Sequence, residues 1–113
     1  MALYMLLIHE QEGPYATAEG FAEAIETHAT FGDANAGVIR GGNALEPAST
    51  ASFVRRDPSG GFGVTDGAFV ETKEVLGGYY LIEVADEAAA IEVAKQLPAP
   101  FGEIEVRRVR AHD

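Results

Sequence analysis

Two short stretches of the chain are apolar at nearly every position, and both predict buried β-strands. Residues 3–9 (LYMLLIH) form one run, which a polar stretch ending in Gly-Pro closes. Residues 78–84 (GYYLIEV) form the other and combine the aromatic and β-branched side chains that are enriched in strands. Because both runs are apolar on both faces of a strand, we expect them at the centre of a sheet, covered on both sides.

Two other segments have the three- and four-residue spacing of apolar side chains that is typical of amphipathic helices. The first starts at Thr17 as its N-cap and runs to about Ala36, before Gly37. The second starts after its N-cap Asp86 and ends at Pro98. The predicted buried positions are Phe21, Ala24, Ile25, His28, Phe31 and Ala34 or Asn35 in the first helix, and Ala90, Ile91, Ala94 and Leu97 in the second.

The remaining extended segments are shorter. Residues 38–45 predict a short strand followed by a turn at Gly41-Gly42-Asn43. A β-hairpin is predicted from residues 50–56 and 62–65, which a loop containing Pro and Gly joins. Residues 103–109 alternate between apolar and polar side chains, which predicts a half-buried strand at a sheet edge.

The predicted order is β-α-β-(hairpin)-β-α-β, which indicates a single α+β domain over residues 1–113. Two helices cover only one face of such a sheet. The two central strands are apolar on the other face as well, so their second cover must come from outside the monomer. A second copy of the chain is the economical choice, and we predict a homodimer at micromolar concentration.

Composition narrows the classes of function. The chain has no cysteine, so disulfides and thiolate metal sites are excluded, and it shows no secretory leader and no membrane-spanning run. A cytoplasmic location is the expectation. The net charge of −10 repels phosphate backbones, and three arginines at 107, 108 and 110 are typical of a solvated strand end. We therefore exclude nucleic acid and membrane surfaces as primary partners.

No cofactor or metal motif is present. The double glycines at 41–42 and 60–61 are not followed by the lysine and helix of a phosphate-binding loop. His9, His28 and His112 are scattered without the spacing of a metal site. We predict neither a cofactor nor a bound metal.

Residues 65–84 (TDGAFVETKEVLGGYYLIEV) resemble the signature of the YCII-related proteins, in the branch called DGPF-domain proteins. The resemblance extends to the opening YMLLIHE, the segment GGNALEPASTA, the helix DEAAAIEVAKQLP and the ending EIEVRRV. Ala68 stands where the motif that names the branch has proline, so the loop lacks a fixed φ there.

The resemblance implies a ferredoxin-like fold that forms a dimeric α+β barrel, which agrees with the predicted element order. It also implies a His/Asp pair as the active site and an association with extracytoplasmic-function sigma factors. Two functions from different classes follow: a small-molecule-binding protein or enzyme with its site at the sheet or dimer face, and a regulatory or interaction module. A stable dimer whose motif residues only build its loops is the third alternative.

Asp66 and His28 are the candidate catalytic residues, and Glu71, Lys73 and Tyr80 are candidate substrate-binding residues. Each has an ordinary structural alternative. Asp66-Gly67 is a common turn sequence, and the charges after it are compatible with a solvated loop. His28 also fits a helix core position, and Tyr80 fits sheet and interface packing. We predict that Asp66 lies beside a cleft, with His28 as a general acid or base and Lys73 holding an anionic or carbonyl group.

Overall fold

The computed structural model describes residues 1–11, 18–66, 74–97 and 102–111. In this part of the chain the elements follow the predicted order. They are β1 (Ala2–Glu10), α1 (Ala18–Ala34), β2 (Ile39–Ala44), a 3₁₀ turn (Ala48–Thr50), β3 (Ser52–Arg56), β4 (Phe62–Asp66), β5 (Val75–Val84), α2 (Glu87–Ala94) and β6 (Gly102–Arg108). Thr17, the predicted N-cap of α1, lies outside the described residues.

Four of the strands form an antiparallel sheet in the order β2-β5-β1-β6. The two strands with apolar side chains on both faces, β1 and β5, are therefore central, as the sequence predicts. β6 lies at an edge, which is also confirmed. Among the described residues, β3 and β4 pair with each other in a separate two-stranded sheet.

Both helices contribute to one core on one face of the sheet, which we call the helix-side face. Alternate residues of β1 and β5 point into this core and meet side chains from α1 and α2. Its buried members are Tyr4, Leu6, Ile8, Phe31, Ile82, Val84, Ala90, Val93, Ala94 and Leu97. Asn35, at the end of α1, donates from Nδ2 to the side-chain oxygen of Gln96 after α2, at 2.9 Å. This hydrogen bond joins the ends of the two helices above the core.

The intervening residues of the central strands form the opposite face, which we call the open face. Its apolar members, Leu3, Met5, Leu7, Tyr79 and Leu81, are half-buried. Polar side chains border it at both edges: Asn43 of β2 donates to the hydroxyl of Tyr79 at 3.0 Å, and β6 contributes Glu105 and Arg107. An apolar centre with a polar margin is the usual anatomy of a protein interface.

The buried faces of the helices differ from the prediction at two isoleucines. Ile25 is 56% exposed, because the inward positions of α1 follow the series Ala24, His28, Phe31 and Asn35, and Ile25 lies about 100° round the helix from Ala24. Ile91 of α2 is 39% exposed for the same reason, and Val93 takes its place in the core. The predicted N-cap of α2 is confirmed, since Asp86 accepts a hydrogen bond from the Ala89 amide at 2.9 Å.

The predicted turn at Gly41-Gly42-Asn43 is wrong. These residues lie inside β2 and pair with Leu81, Tyr80 and Tyr79 of β5. The predicted hairpin is confirmed, with β3 and β4 paired from Ser52↔Asp66 to Arg56↔Phe62. Its loop contains Gly60 at φ 100°, a conformation that favours glycine. Neither helix of the described part is both long and apolar enough to cross a membrane.

Candidate functional site

His28 and Tyr80 meet between α1 and the helix-side face of the sheet. The imidazole Nδ1 and the phenol Oη are 2.9 Å apart, a hydrogen bond between two half-buried side chains. Their rings are stacked, with centroids 5.9 Å apart and planes inclined by 24°. The two residues are 52 positions apart in the sequence, so the fold alone brings them together.

Neighbouring residues fix the position of the Tyr80 ring. Tyr80 pairs with Leu6 on one side and Gly42 on the other, so its side chain points toward the helices. A Cβ at Gly42 would stand 2.8 Å from Cδ1 of Tyr80, which is closer than real contacts allow. The ring also packs against Phe31 of α1, with centroids 4.8 Å apart. Gly42 therefore leaves room for the Tyr80 ring on one side, and the Phe31 ring packs against it on another.

Burial favours the neutral forms of both His28 and Tyr80. Desolvation lowers the pKa of His28 below its ordinary value and raises the pKa of the Tyr80 phenol above its own. At neutral pH the pair is thus an uncharged imidazole and an uncharged phenol. Two neutral groups with donor and acceptor capacity, beside aromatic walls, are suited to binding a polar, uncharged ligand and to passing a proton.

The other predicted site residues are placed unevenly. Asp66 is the last residue of β4, is exposed, and stands opposite Ser52. Glu71 and Lys73, like Phe69, lie outside the described residues. The hydrogen-bond partner of Nδ1 of His28 in the structure is Tyr80. The pairing of His28 with Asp66 stays a prediction, and so does the cleft beside Asp66. Sequence reasoning named His28 and Tyr80 separately but gave no signal that they touch.

A second polar cluster lies on the open face. Nε2 of His9 is 2.9 Å from Oε1 of Glu105, and Arg107 contacts the other carboxylate oxygen. The hydrogen bonds from His9 and Arg107 lower the pKa of Glu105. His9 and His28 are therefore on opposite sides of the sheet and cannot share an ion. Among the described residues, no group of three or more potential ligands is arranged to hold a metal.

A family model, described as the YCII-related domain, matches residues 2–112. The chain belongs to the YCII-related family. The match spans the two helices and six strands of the described residues of this YCII-related domain, so it includes the His28–Tyr80 contact and the open face. A search of curated proteins found no match.

Proposed function

We propose that this YCII-related domain binds a small molecule beside His28 and Tyr80 and uses the two side chains as acid–base groups. The observation that carries the proposal is the 2.9 Å hydrogen bond between Nδ1 and Oη in a half-buried setting. The two rings stack on each other, and the contact with Phe31 helps to fix the orientation of the Tyr80 ring. Reactive sites commonly contain titratable groups whose pKa values are shifted by burial.

The geometry supports a proton relay through the phenol. When a ligand hydroxyl, or a C–H group activated by a carbonyl, gives its proton to Oη of Tyr80, the phenol passes its own proton to Nδ1 of His28. Tyr80 remains neutral and His28 becomes the imidazolium. The reverse transfer donates a proton to a ligand oxygen. The group that meets His28 and Tyr80 is accordingly an uncharged polar group, a carbonyl or a hydroxyl.

Further residues join this site in the proposal through the resemblance to the DGPF branch. Asp66 would orient or stabilise the imidazolium of His28, as a carboxylate does in a His/Asp pair. Glu71 and Lys73 would contact polar parts of the ligand, with Lys73 holding an anionic or carbonyl group. These roles rest on the motif at residues 65–84.

We further propose that the domain acts as a cytoplasmic homodimer with the ferredoxin-like arrangement of a dimeric α+β barrel. The strand order β2-β5-β1-β6 with two helices on one face supports this arrangement. The half-buried apolar side chains of the open face, including Leu7 and Leu81, support a second copy as their cover.

Ligand binding tests the site. A screen of small carbonyl and hydroxyl compounds by ligand-observed NMR should yield a binder for the unaltered protein. We expect Tyr80→Phe and His28→Gln to weaken that binder at least about ten-fold, roughly one hydrogen bond to a polar group. Tyr79→Phe is the matched control, because its hydroxyl bonds Asn43 on the open face. Equal affinity for Tyr80→Phe and Tyr79→Phe would contradict the proposed site.

A second candidate function is a module that binds a basic protein surface, such as a sigma-factor region. The observation that favours it is the outer surface of α1, where the exposed residues Glu19, Glu23, Glu26 and Asp33 carry like charge and the helix has no lysine or arginine. Replacing Glu23 and Glu26 by glutamine should abolish a salt-sensitive capture of such a partner. The same variant should leave small-molecule binding at Tyr80 unchanged, which separates the two functions.

A further inference from the structure

Three polar side chains at the β6 edge of the open face form a cluster apart from the site on the helix-side face. Nε2 of His9, near the end of β1, lies 2.9 Å from Oε1 of Glu105 in β6. Glu105 pairs with Leu7, two residues before His9, so the two side chains meet diagonally across neighbouring strands. Arg107 contacts the second carboxylate oxygen, Oε2. Both oxygens of one carboxylate are thus engaged, one by an imidazole and the other by a guanidinium.

The carboxylate of Glu105 determines which nitrogen of His9 carries the hydrogen. Hydrogen bonds from His9 and from Arg107 lower the pKa of Glu105, so this group is ionised at neutral pH. An ionised carboxylate only accepts hydrogen bonds, and Nε2 must therefore be the donor. In the neutral imidazole the lone pair then lies on Nδ1, which takes no part in this hydrogen bond. A carboxylate that holds one imidazole nitrogen and leaves the other as a base is the arrangement of histidine–carboxylate catalytic pairs.

The cluster is held in place and is also accessible from solvent. The side chains of His9 and Glu105 are 32% and 31% exposed, and that of Arg107 is 71% exposed. Half-buried apolar side chains of β1 lie beside the cluster on the same face, since Leu7 pairs with Glu105 and Met5 with Arg107. A few polar groups next to an apolar surface are characteristic of small-molecule sites, because the apolar part binds the body of a ligand and the polar groups orient its reacting end.

The charges around the cluster favour an uncharged substrate. The negative charge of Glu105 and the positive charge of Arg107 offset each other, and Glu103 is exposed directly opposite His9. The net charge of the chain is −10, which disfavours anions further. A guanidinium has more N–H groups than one carboxylate oxygen engages, so Arg107 can also pair with an oxygen on which negative charge develops during a reaction. A base next to such a cation is suited to reactions of an uncharged carbonyl group.

We propose that His9, Glu105 and Arg107 form a second catalytic site, which hydrolyses uncharged esters with an apolar acyl group. Nδ1 of His9 takes a proton from water while the water oxygen bonds to the ester carbonyl carbon, and the C=O electron pair moves to the carbonyl oxygen, where Arg107 pairs with it. The C=O bond then re-forms, the bond to the alcohol oxygen breaks, and the imidazolium returns its proton to that oxygen. The products are a carboxylic acid and an alcohol. Glu105 is the positioning residue, which orients the imidazole and stabilises the imidazolium.

Hydrolysis of p-nitrophenyl butyrate, an uncharged ester with a short apolar acyl chain, tests the site through the absorbance of p-nitrophenolate. His9→Gln should lower kcat/KM at least about ten-fold, because the general base is lost. His28→Gln should change kcat/KM by less than two-fold, since His28 lies on the other side of the sheet. Equal kcat/KM for the unaltered protein and His9→Gln would overturn the inference, and so would a rate no greater than that of free imidazole at the same concentration. An equal loss in His28→Gln would also overturn it, since the ester would then react at the helix-side site.

The positioning role of Glu105 has its own readouts. Glu105→Gln should lower kcat at least about ten-fold and change KM by less than two-fold, because Glu105 acts through His9 and not on the ester. Glu103→Gln is the matched control, since it removes the same charge from the residue opposite His9, and it should change kcat by less than two-fold. Added imidazole should raise the rate of His9→Ala beyond the sum of the two separate rates. No gain with imidazole, or equal losses in the two glutamine variants, would mean that these side chains only pack the β6 edge, which overturns the inference.

Discussion

Gly42 and Tyr80 depend on each other at the scale of single residues. The glycine leaves the space in which the Tyr80 ring lies, and the ring in turn carries the hydroxyl to within 2.9 Å of His28. A methyl group at position 42 would also stand 2.7 Å from the Tyr79 carbonyl oxygen, which is backbone and cannot swing away. The glycine is therefore part of the site although it has no functional group.

Gly42→Ala should destabilise the fold by about 1–3 kcal/mol, the usual cost of forcing an extra carbon into a packed site. It should also lower the affinity for any ligand of the site, because Tyr80 has to move. Gly41→Ala is the control: its added Cβ would stand 4.0 Å from Leu81, an ordinary contact, and its stability should change by less than about 0.5 kcal/mol. Urea unfolding of the two variants compares them, and equal midpoints would contradict the packing at Gly42.

Protonation of His28 should make stability depend on pH in a defined window. Burial lowers the pKa of His28 in the folded state, so the unfolded chain binds the proton more readily. The folded state then has its full advantage above the ordinary histidine pKa of about 6.5 and loses it progressively as pH falls toward the folded-state pKa. NMR titration of the imidazole should place its midpoint below about 6.5. The free energy of unfolding of His28→Gln should fall less over the same pH window. A pH dependence equal to that of the unaltered protein would contradict a lowered pKa for His28 in the folded state.

At the scale of elements, α1 shows how a helix divides its apolar residues between core and surface. Phe31 is 2% exposed and packs in the core, whereas Ile25, six positions earlier, is 56% exposed. His28 lies on the half-buried face of the helix between them. An ordinary amphipathic helix would have an apolar side chain at this position. The contrast provides a direct test of how α1 sits on the sheet.

Phe31→Ala should cost about 3–5 kcal/mol of unfolding free energy, since it leaves a cavity beside Tyr80. Ile25→Ala should cost less than about 1 kcal/mol, because most of its side chain is already in water. Chemical denaturation of both variants measures the difference. A similar loss for the two would mean that α1 is rotated from the orientation described.

The sequence is informative about elements and less so about contacts between them. Apolar content on both faces correctly predicts that β1 and β5 are central, because that property depends only on local alternation. The double glycine of β2 is mispredicted as a turn, because the need for glycine at position 42 comes from the Tyr80 ring on another strand. The His28–Tyr80 hydrogen bond has no local signature either, since helix and strand spacing places each residue on a face but does not say which residue it faces.

For the whole molecule, the open face is the side of the central strands against which neither described helix packs. Leu7 lies near its centre, in a row of paired residues that runs from Asn43 through Tyr79 to Glu105. A surface with leucine at its centre and polar groups at its margin gains most by meeting a similar surface. The homodimer prediction belongs to this scale.

Light scattering after size exclusion should give twice the 12.0 kDa chain mass at micromolar concentration. Leu7→Lys should shift the protein to a single-chain mass, because two lysines would be buried against each other across the interface. Ile91→Lys, on the helix side of the sheet, is the matched control and should remain a dimer. Circular dichroism shows whether each variant is folded, and a folded Leu7→Lys dimer would place the interface elsewhere.

The central position of β1 has a consequence for how the chain is made. Ala2 pairs with Val84 and Tyr4 with Arg108, so β1 is synthesised well before both of its partners, which lie far downstream. With roughly 80 residues between β1 and the far end of β5, a ribosome adding about 5–20 residues per second leaves β1 unpaired for about 4–16 s. During that time its apolar run is open to self-association and to chaperones. Folding that waits for such distant pairings is slow for the chain length, and a faster rate of translation would shorten the period of risk.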